Sequence, residues 1–157
     1  MSESSAPPAY LRLLVRAVTP LVKTVLRSPV HGWLSGSMML LTVTGRRTGR
    51  RYEIPISYVA DGAVVMCITG IENTWWTNLR GGAEVTVLLG RNRFGGYAEA
   101  STGVANSPVI ESFLAARPRD ARFHHVRRDA QGRFDADDLT RAAQTRVVIR
   151  VQLWPEG

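Results

Sequence analysis

The chain is short of most residues that announce a familiar chemistry. Among 157 residues there is one cysteine, Cys67, and only three histidines, His31, His124 and His125. A single thiol excludes an internal disulfide, and within an apolar run it reads as a small core residue rather than a nucleophile. The histidines lack metal-ligand spacing, and neighbours on a strand point to opposite faces, so no metal site is expected. There is no Gly-x-Gly-x-x-Gly after a strand, no phosphate-binding loop ending in Lys-Ser/Thr and no Gly-x-Ser-x-Gly elbow. Support for a dinucleotide fold, a P-loop or a serine hydrolase is therefore missing. No apolar run approaches the ~20 residues that a membrane span needs. Acidic residues are also scarce, 13 against 20 basic ones, for a net charge of +7. That balance favours anionic partners, whether nucleic acid, acidic lipid or an acidic cofactor, without choosing among them. Aromatic residues do not alternate with the arginines as in single-strand binders, so no specific nucleic acid is expected.

The remaining composition is that of an ordinary globular protein. Residues 1–8 are polar and proline-containing and read as a flexible tail; residues 9–157 read as a single domain. The start lacks the basic-then-apolar order of a signal peptide, so a cytoplasmic protein is expected. Over 9–27, Leu11, Leu14, Val15, Val18, Val22 and Val25 recur at helical steps, with Arg12, Arg16, Lys23 and Arg27 on another face. Pro20 kinks or splits this helix. Its apolar face either covers the domain or lies on an anionic membrane surface, which would make the protein peripheral to the membrane.

After a loop over 28–37, the run 38–44 fits a buried strand. The run 52–60 fits a second, and Asp61-Gly62 a two-residue hairpin turn into a third over 63–69. Pro55 places its strand at an edge or a bulge. Asn73 and Thr74 are N-cap residues for a short helix 75–80 that stops at Gly81-Gly82. Strands 84–89 and 92–101 turn at Gly90-Arg91. A helix 107–116, an irregular stretch 117–133, a helix opened by an Asp135/Asp138 capping arrangement and a strand 147–153 complete the chain. Hairpins dominate and no βαβ unit is visible. The fold class is mainly β with α, an antiparallel sheet closed or nearly closed into a barrel with helices at its margin.

Two stretches carry possible chemistry. Thr44-Gly45-Arg46-Arg47-Thr48-Gly49-Arg50-Arg51 packs four arginines and two glycines into one turn. Guanidinium forks match phosphate or carboxylate oxygens in pairs, and glycine lets backbone N–H groups face an anion. The same turn also reads as a basic hairpin tip. Trp75-Trp76-Thr77-Asn78-Leu79 is the second stretch. On an α-helix Trp75, Asn78 and Leu79 share a face, with Trp76 turned about 100° away.

In order and spacing, Leu40–Gly49, Ile54-Pro55-Ile56, Asp61-Gly62, Trp75–Arg80 and Glu84–Val87 resemble the deazaflavin-dependent nitroreductase family. That resemblance, over about residues 38 to 100, implies a split β-barrel of the FMN-binding type and an oxidoreductase that uses coenzyme F420. It implies hydride transfer from the reduced deazaflavin to an electrophilic small molecule, nitroaromatic or quinone-like. It puts Arg46, Arg47, Thr48 and Gly49 on the cofactor's phosphate and tail, with Arg50 and Arg51 nearby. Ile54 and Pro55 would flank the ring, Ile68, Thr69 and Gly70 would lie beside it, and Trp75, Trp76 and Asn78 would close the groove. Hydroxyls of Tyr58 or Thr69 are candidates for polarising the acceptor. A homodimer is a further implication. Two departures stand out: Tyr52 where the family often has arginine, and Gly70 where it often has lysine. They keep FMN open as the cofactor, and a non-catalytic lipid or anion binder as the alternative function.

Overall fold

The computed structural model describes residues 38–155. The tail 1–8, the helix expected over 9–27 and the loop 28–37 lie outside these residues. The strands are β1 (Met38–Thr44), β2 (Arg51–Ser57), β3 (Val59–Asp61), β4 (Val64–Gly70), β5 (Ala83–Leu89), β6 (Asn92–Ser101) and β7 (Arg146–Leu153). Two α-helices, α1 (Ser107–Ala116) and α2 (Ala136–Thr145), and 3₁₀ segments at Trp75–Leu79, Val104–Asn106 and Pro118–His124 complete the described chain.

All seven strands pair antiparallel in one sheet, in the order β2-β1-β5-β6-β7-β4-β3. The two edge strands, β2 and β3, are consecutive in the chain and separated by Tyr58 alone. One residue spans under 4 Å of extended chain. The sheet must therefore curl until its opposite edges meet at that corner, with no ladder along the seam. The result is a split barrel, as the hairpin pattern implies. Pro55 lies on edge strand β2, where its missing N–H is tolerated.

Side-chain alternation divides the apolar residues between two cores. Met39, Leu41 and Val43 of β1, Val85 and Val87 of β5, Val65 and Cys67 of β4 and alternate residues of β7 fill the barrel. The outer faces of β4 and β7 contribute Ile68 and Val148 to a second core with Phe113 and Leu114 of α1 and Leu139 and Ala143 of α2. Each fully buried Leu, Ile, Val or Phe contributes about 1.5–3 kcal/mol. Burial pushes the Cys67 thiol up to about 12 and leaves it chemically quiet, as its setting suggested.

Four expectations change in detail. The hairpin turn is centred on Gly62-Ala63, because Asp61 still pairs with Val64 and the positive φ falls on Gly62. Asn73 does not cap the helix; its amide donates to Thr69 Oγ1 at 2.9 Å, and Thr74 makes no side-chain cap either. Asp135 does cap α2, accepting from the Asp138 backbone N–H at 2.9 Å. The reciprocal arm of a capping box is missing, since the Asp135 N–H donates to the Arg127 carbonyl instead. The Asp138 carboxylate is buried and accepts from the Arg127 backbone N–H and side chain and from Arg141, which hold it well below the usual carboxylate range. The stretch expected to be irregular contains the 3₁₀ segment Pro118–His124 and an Arg128–Phe134 bridge.

No helix among the described residues is long and apolar enough to cross a membrane.

Candidate functional site

The arginine turn closes tightly. The Gly45 N–H donates to the Arg50 carbonyl at 2.7 Å, and the Gly49 N–H to the Gly45 carbonyl at 2.9 Å. Thr48 Oγ1 accepts from the Arg50 N–H at 3.2 Å, so the threonine fastens the turn. Gly49 has φ +68°, a conformation that side chains resist. Gly45 is buried, and a side chain there would press on the Tyr52 ring.

The four arginines take different roles. Arg46 is turned against the protein: its backbone N–H donates to Asn78 Oδ1 at 3.0 Å, and its guanidinium donates to the carbonyls of Arg80 and Gly82. Part of its donor set is therefore spent on anchoring, although Arg46 is itself exposed. Arg47, Arg50 and Arg51 are exposed. Arg51, opposite Thr44, also borders a cavity of about 180 Å³ with Thr42, Thr86 and Trp154.

The tryptophan segment is a 3₁₀ helix, and its three-residue period repartners the side chains. Trp76 and Leu79, three apart, both point into the barrel, with Trp76 3% exposed. Trp75 and Asn78 share the other side and are half-buried. Trp76 therefore plugs the barrel, donating its indole N–H to the Ile71 carbonyl at 3.2 Å. The Arg80 guanidinium sits 4.7 Å from its ring centroid. Asn78 links the two motifs, donating to the Trp75 carbonyl while accepting from Arg46. Arg46→Ala is expected to lower stability by about 1 kcal/mol. Arg47→Ala should change it by under about 0.5 kcal/mol. Denaturant unfolding of the two variants checks this contrast.

Other predicted residues are spread around the same rim. Ile54 faces the barrel, whereas Ile68 faces the helical layer. Thr69 is buried, its hydroxyl oxygen accepting from Asn73. Tyr58 stands at the corner between β2 and β3, and its carbonyl accepts from Arg117 Nε at 3.0 Å. Gly70 ends β4 opposite Arg146 of β7. Arg146, with Glu72 and His124 beside it, is the functional candidate that spacing misses, because only the β4–β7 pairing brings it to Gly70.

A curled antiparallel sheet whose edges meet without pairing is the frame of the split β-barrels. Two solved structures share the curled-sheet fold. One is described as a domain-swapped dimer, with a TM-score of 0.54 and 16% identity over 89% of this chain and 98% of that one. The other is a FAD-binding protein from Mesorhizobium loti, with a TM-score of 0.50 and 12% identity over 85% and 87%. No curated protein matches the chain. The profile of the F420H(2)-dependent quinone reductase family matches residues 14–129, and the chain belongs to that family. It is thus an oxidoreductase with coenzyme F420 as its cofactor.

Proposed function

We propose that the protein catalyses reduction of a quinone-like, conjugated acceptor by reduced F420, with the arginine turn as the seat of the cofactor's phosphate and acidic tail. The observation that carries this reading is the division of labour in the turn. Arg46 fixes it to the 3₁₀ segment, while Arg47, Arg50 and Arg51 are exposed on a hydrogen-bonded turn. Exposed forks on a fixed turn suit a phosphate and carboxylates.

When bound, the reduced deazaflavin supplies a hydride. The chain's own contribution is to hold the anionic end, seat the ring by the edge strand at Ile54-Pro55 and the strand end at Thr69-Gly70, and keep water out with Trp75. Thr69 Oγ1 accepts from Asn73, which leaves the hydroxyl proton available to donate to an acceptor oxygen. Pairing of two chains is a further part of the proposal, motivated by the neighbour described as a domain-swapped dimer; sedimentation measures it.

Titrating the protein against F420 fluorescence tests the reading. Saturable, salt-sensitive binding is expected, with Arg47→Ala and Arg50→Ala each weakening it about tenfold through loss of a charge-assisted hydrogen bond. Unchanged affinity in both variants would remove the turn from the site. Rapid mixing of F420H2-loaded protein with a soluble quinone should return the oxidised cofactor's absorbance in step with quinol formation.

A further inference from the structure

Where β4 ends and β7 begins, a second group of cationic side chains gathers around Arg146. Gly70 and Arg146 are partners across the ladder, on the sheet face that carries the helical layer. Because Gly70 has no side chain, the Glu72 carboxylate folds back over it; a Cβ there would collide with that carboxylate. Glu72 Oε1 ends 3.8 Å from Arg146 Nη1, close enough for attraction but too long for a hydrogen bond. Arg146 is held from the other side, Nη2 donating to the Phe123 carbonyl at 3.2 Å. Its side chain is only 15% exposed, whereas that of Glu72 is 58% exposed.

Two polar atoms here are buried and lack a partner, Arg146 Nε and His124 Nδ1. Both residues line a cavity of about 310 Å³, at the lower end of the range for small-ligand sites. Arg141 and His125 complete its basic side. The negative charge of the nearby Asp138 carboxylate is offset by Arg127 and Arg141, which both pair with it. A mostly buried guanidinium with unmade hydrogen bonds is unfavourable unless something completes it. Glu72 does so poorly, from a distance, and from an exposed position that it can leave.

We propose that Arg146 is the centre of an oxyanion-binding site, that Glu72 occupies its seat in the unliganded protein, and that the carboxylate or phosphate group of a small ligand displaces Glu72. The planar fork of Arg146 suits either group. The cavity wall supplies the further donors of Arg141 and His125.

The experiment follows the Arg146 Nε–H resonance by nitrogen-edited NMR on the full chain. Inorganic phosphate, acetate and benzoate are titrated in at constant ionic strength, with chloride as the control. The expected result is a saturable shift with at least one oxyanion and none with chloride. Glu72→Gln, at an exposed position, should tighten binding about fivefold by removing the internal competitor. Arg146→Lys should weaken it by a similar factor, because an ammonium lacks the fork. Phosphate binding tightest would mark a phosphate group as the ligand, whereas benzoate binding tighter than acetate would mark an organic carboxylate. No saturable shift with any oxyanion into the tens of millimolar would overturn the proposal. So would a Glu72→Gln variant that binds no more tightly than the parent.

Discussion

Bringing the pH from 7 down to about 4 is expected to cost the folded protein about 3 kcal/mol through His124 alone. Burial beneath the helical layer pushes this imidazole from 6.5 down to about 4, helped by the positive charge of Arg146 and of His125 and opposed by Asp120. Between those two values the unfolded chain takes up a proton that the native state refuses. Stability is therefore full above pH ~6.5 and falls as the pH drops toward ~4, where the native imidazole also begins to titrate. Asp138 acts in a separate window. Its carboxyl is depressed in the native state, so its contribution is present above the ordinary carboxylate range and lost only at lower pH. Denaturant unfolding at pH 7 and near pH 4.5 separates the two. His124→Gln should lose much less stability across that interval than the parent. Equal losses in both would show that the buried imidazole titrates normally.

A comparable effect is expected from one methyl group on β6. An alanine Cβ at Gly96 would stand 2.7 Å from the Gln152 carbonyl oxygen and 3.0 Å from Val151 Cγ1. The oxygen belongs to the backbone of β7, which pairs with β6 at Tyr97–Gln152 and Gly96–Leu153, so it cannot retreat without opening that ladder. Gly96→Ala should cost about 3 kcal/mol, the upper range for overpacking, and roughly 6–12 °C in Tm for a domain of this size. Gly95→Ala is the internal control. There the new Cβ would meet the Trp154 ring at 2.5 Å, but that ring is 47% exposed and can swing aside. Its cost should be about 1 kcal/mol. If both alanines prove equally mild, the close approach of β6 and β7 is not as described.

Local pattern was enough for much of the architecture. Met38–Thr44, Asn92–Ser101 and Ser107–Ala116 are bounded in the structure as their residues imply, because alternation, turn glycines and a helical apolar stripe act over neighbouring positions. The curl of the sheet is also implicit, in the single residue between β2 and β3, but only once the strand order is known. What stayed hidden depends on partners far along the chain. The concentration of arginines between β1 and β2 is plain to read. That Arg46 is spent on Arg80 and Gly82, 34 and 36 residues away, is not. In the Trp-Trp segment, which residues share a face was hidden for a different reason. A five-residue stretch does not declare whether its period is 3.6 or 3, and the shorter one sends Trp76 into the core. Arg146 was hidden for the same reason as the Arg46 contacts, since only strand pairing sets it opposite Gly70.

The phosphorus NMR signal of F420 tests the central claim most directly, because it reports on the group that the arginine turn should grasp. With the parent protein the phosphate resonance should shift and broaden to saturation. With the Arg47→Ala/Arg50→Ala double variant it should stay close to its free position at the same protein concentration. A cofactor that binds with its phosphate resonance unmoved, or that shifts equally with parent and variant, would contradict the account.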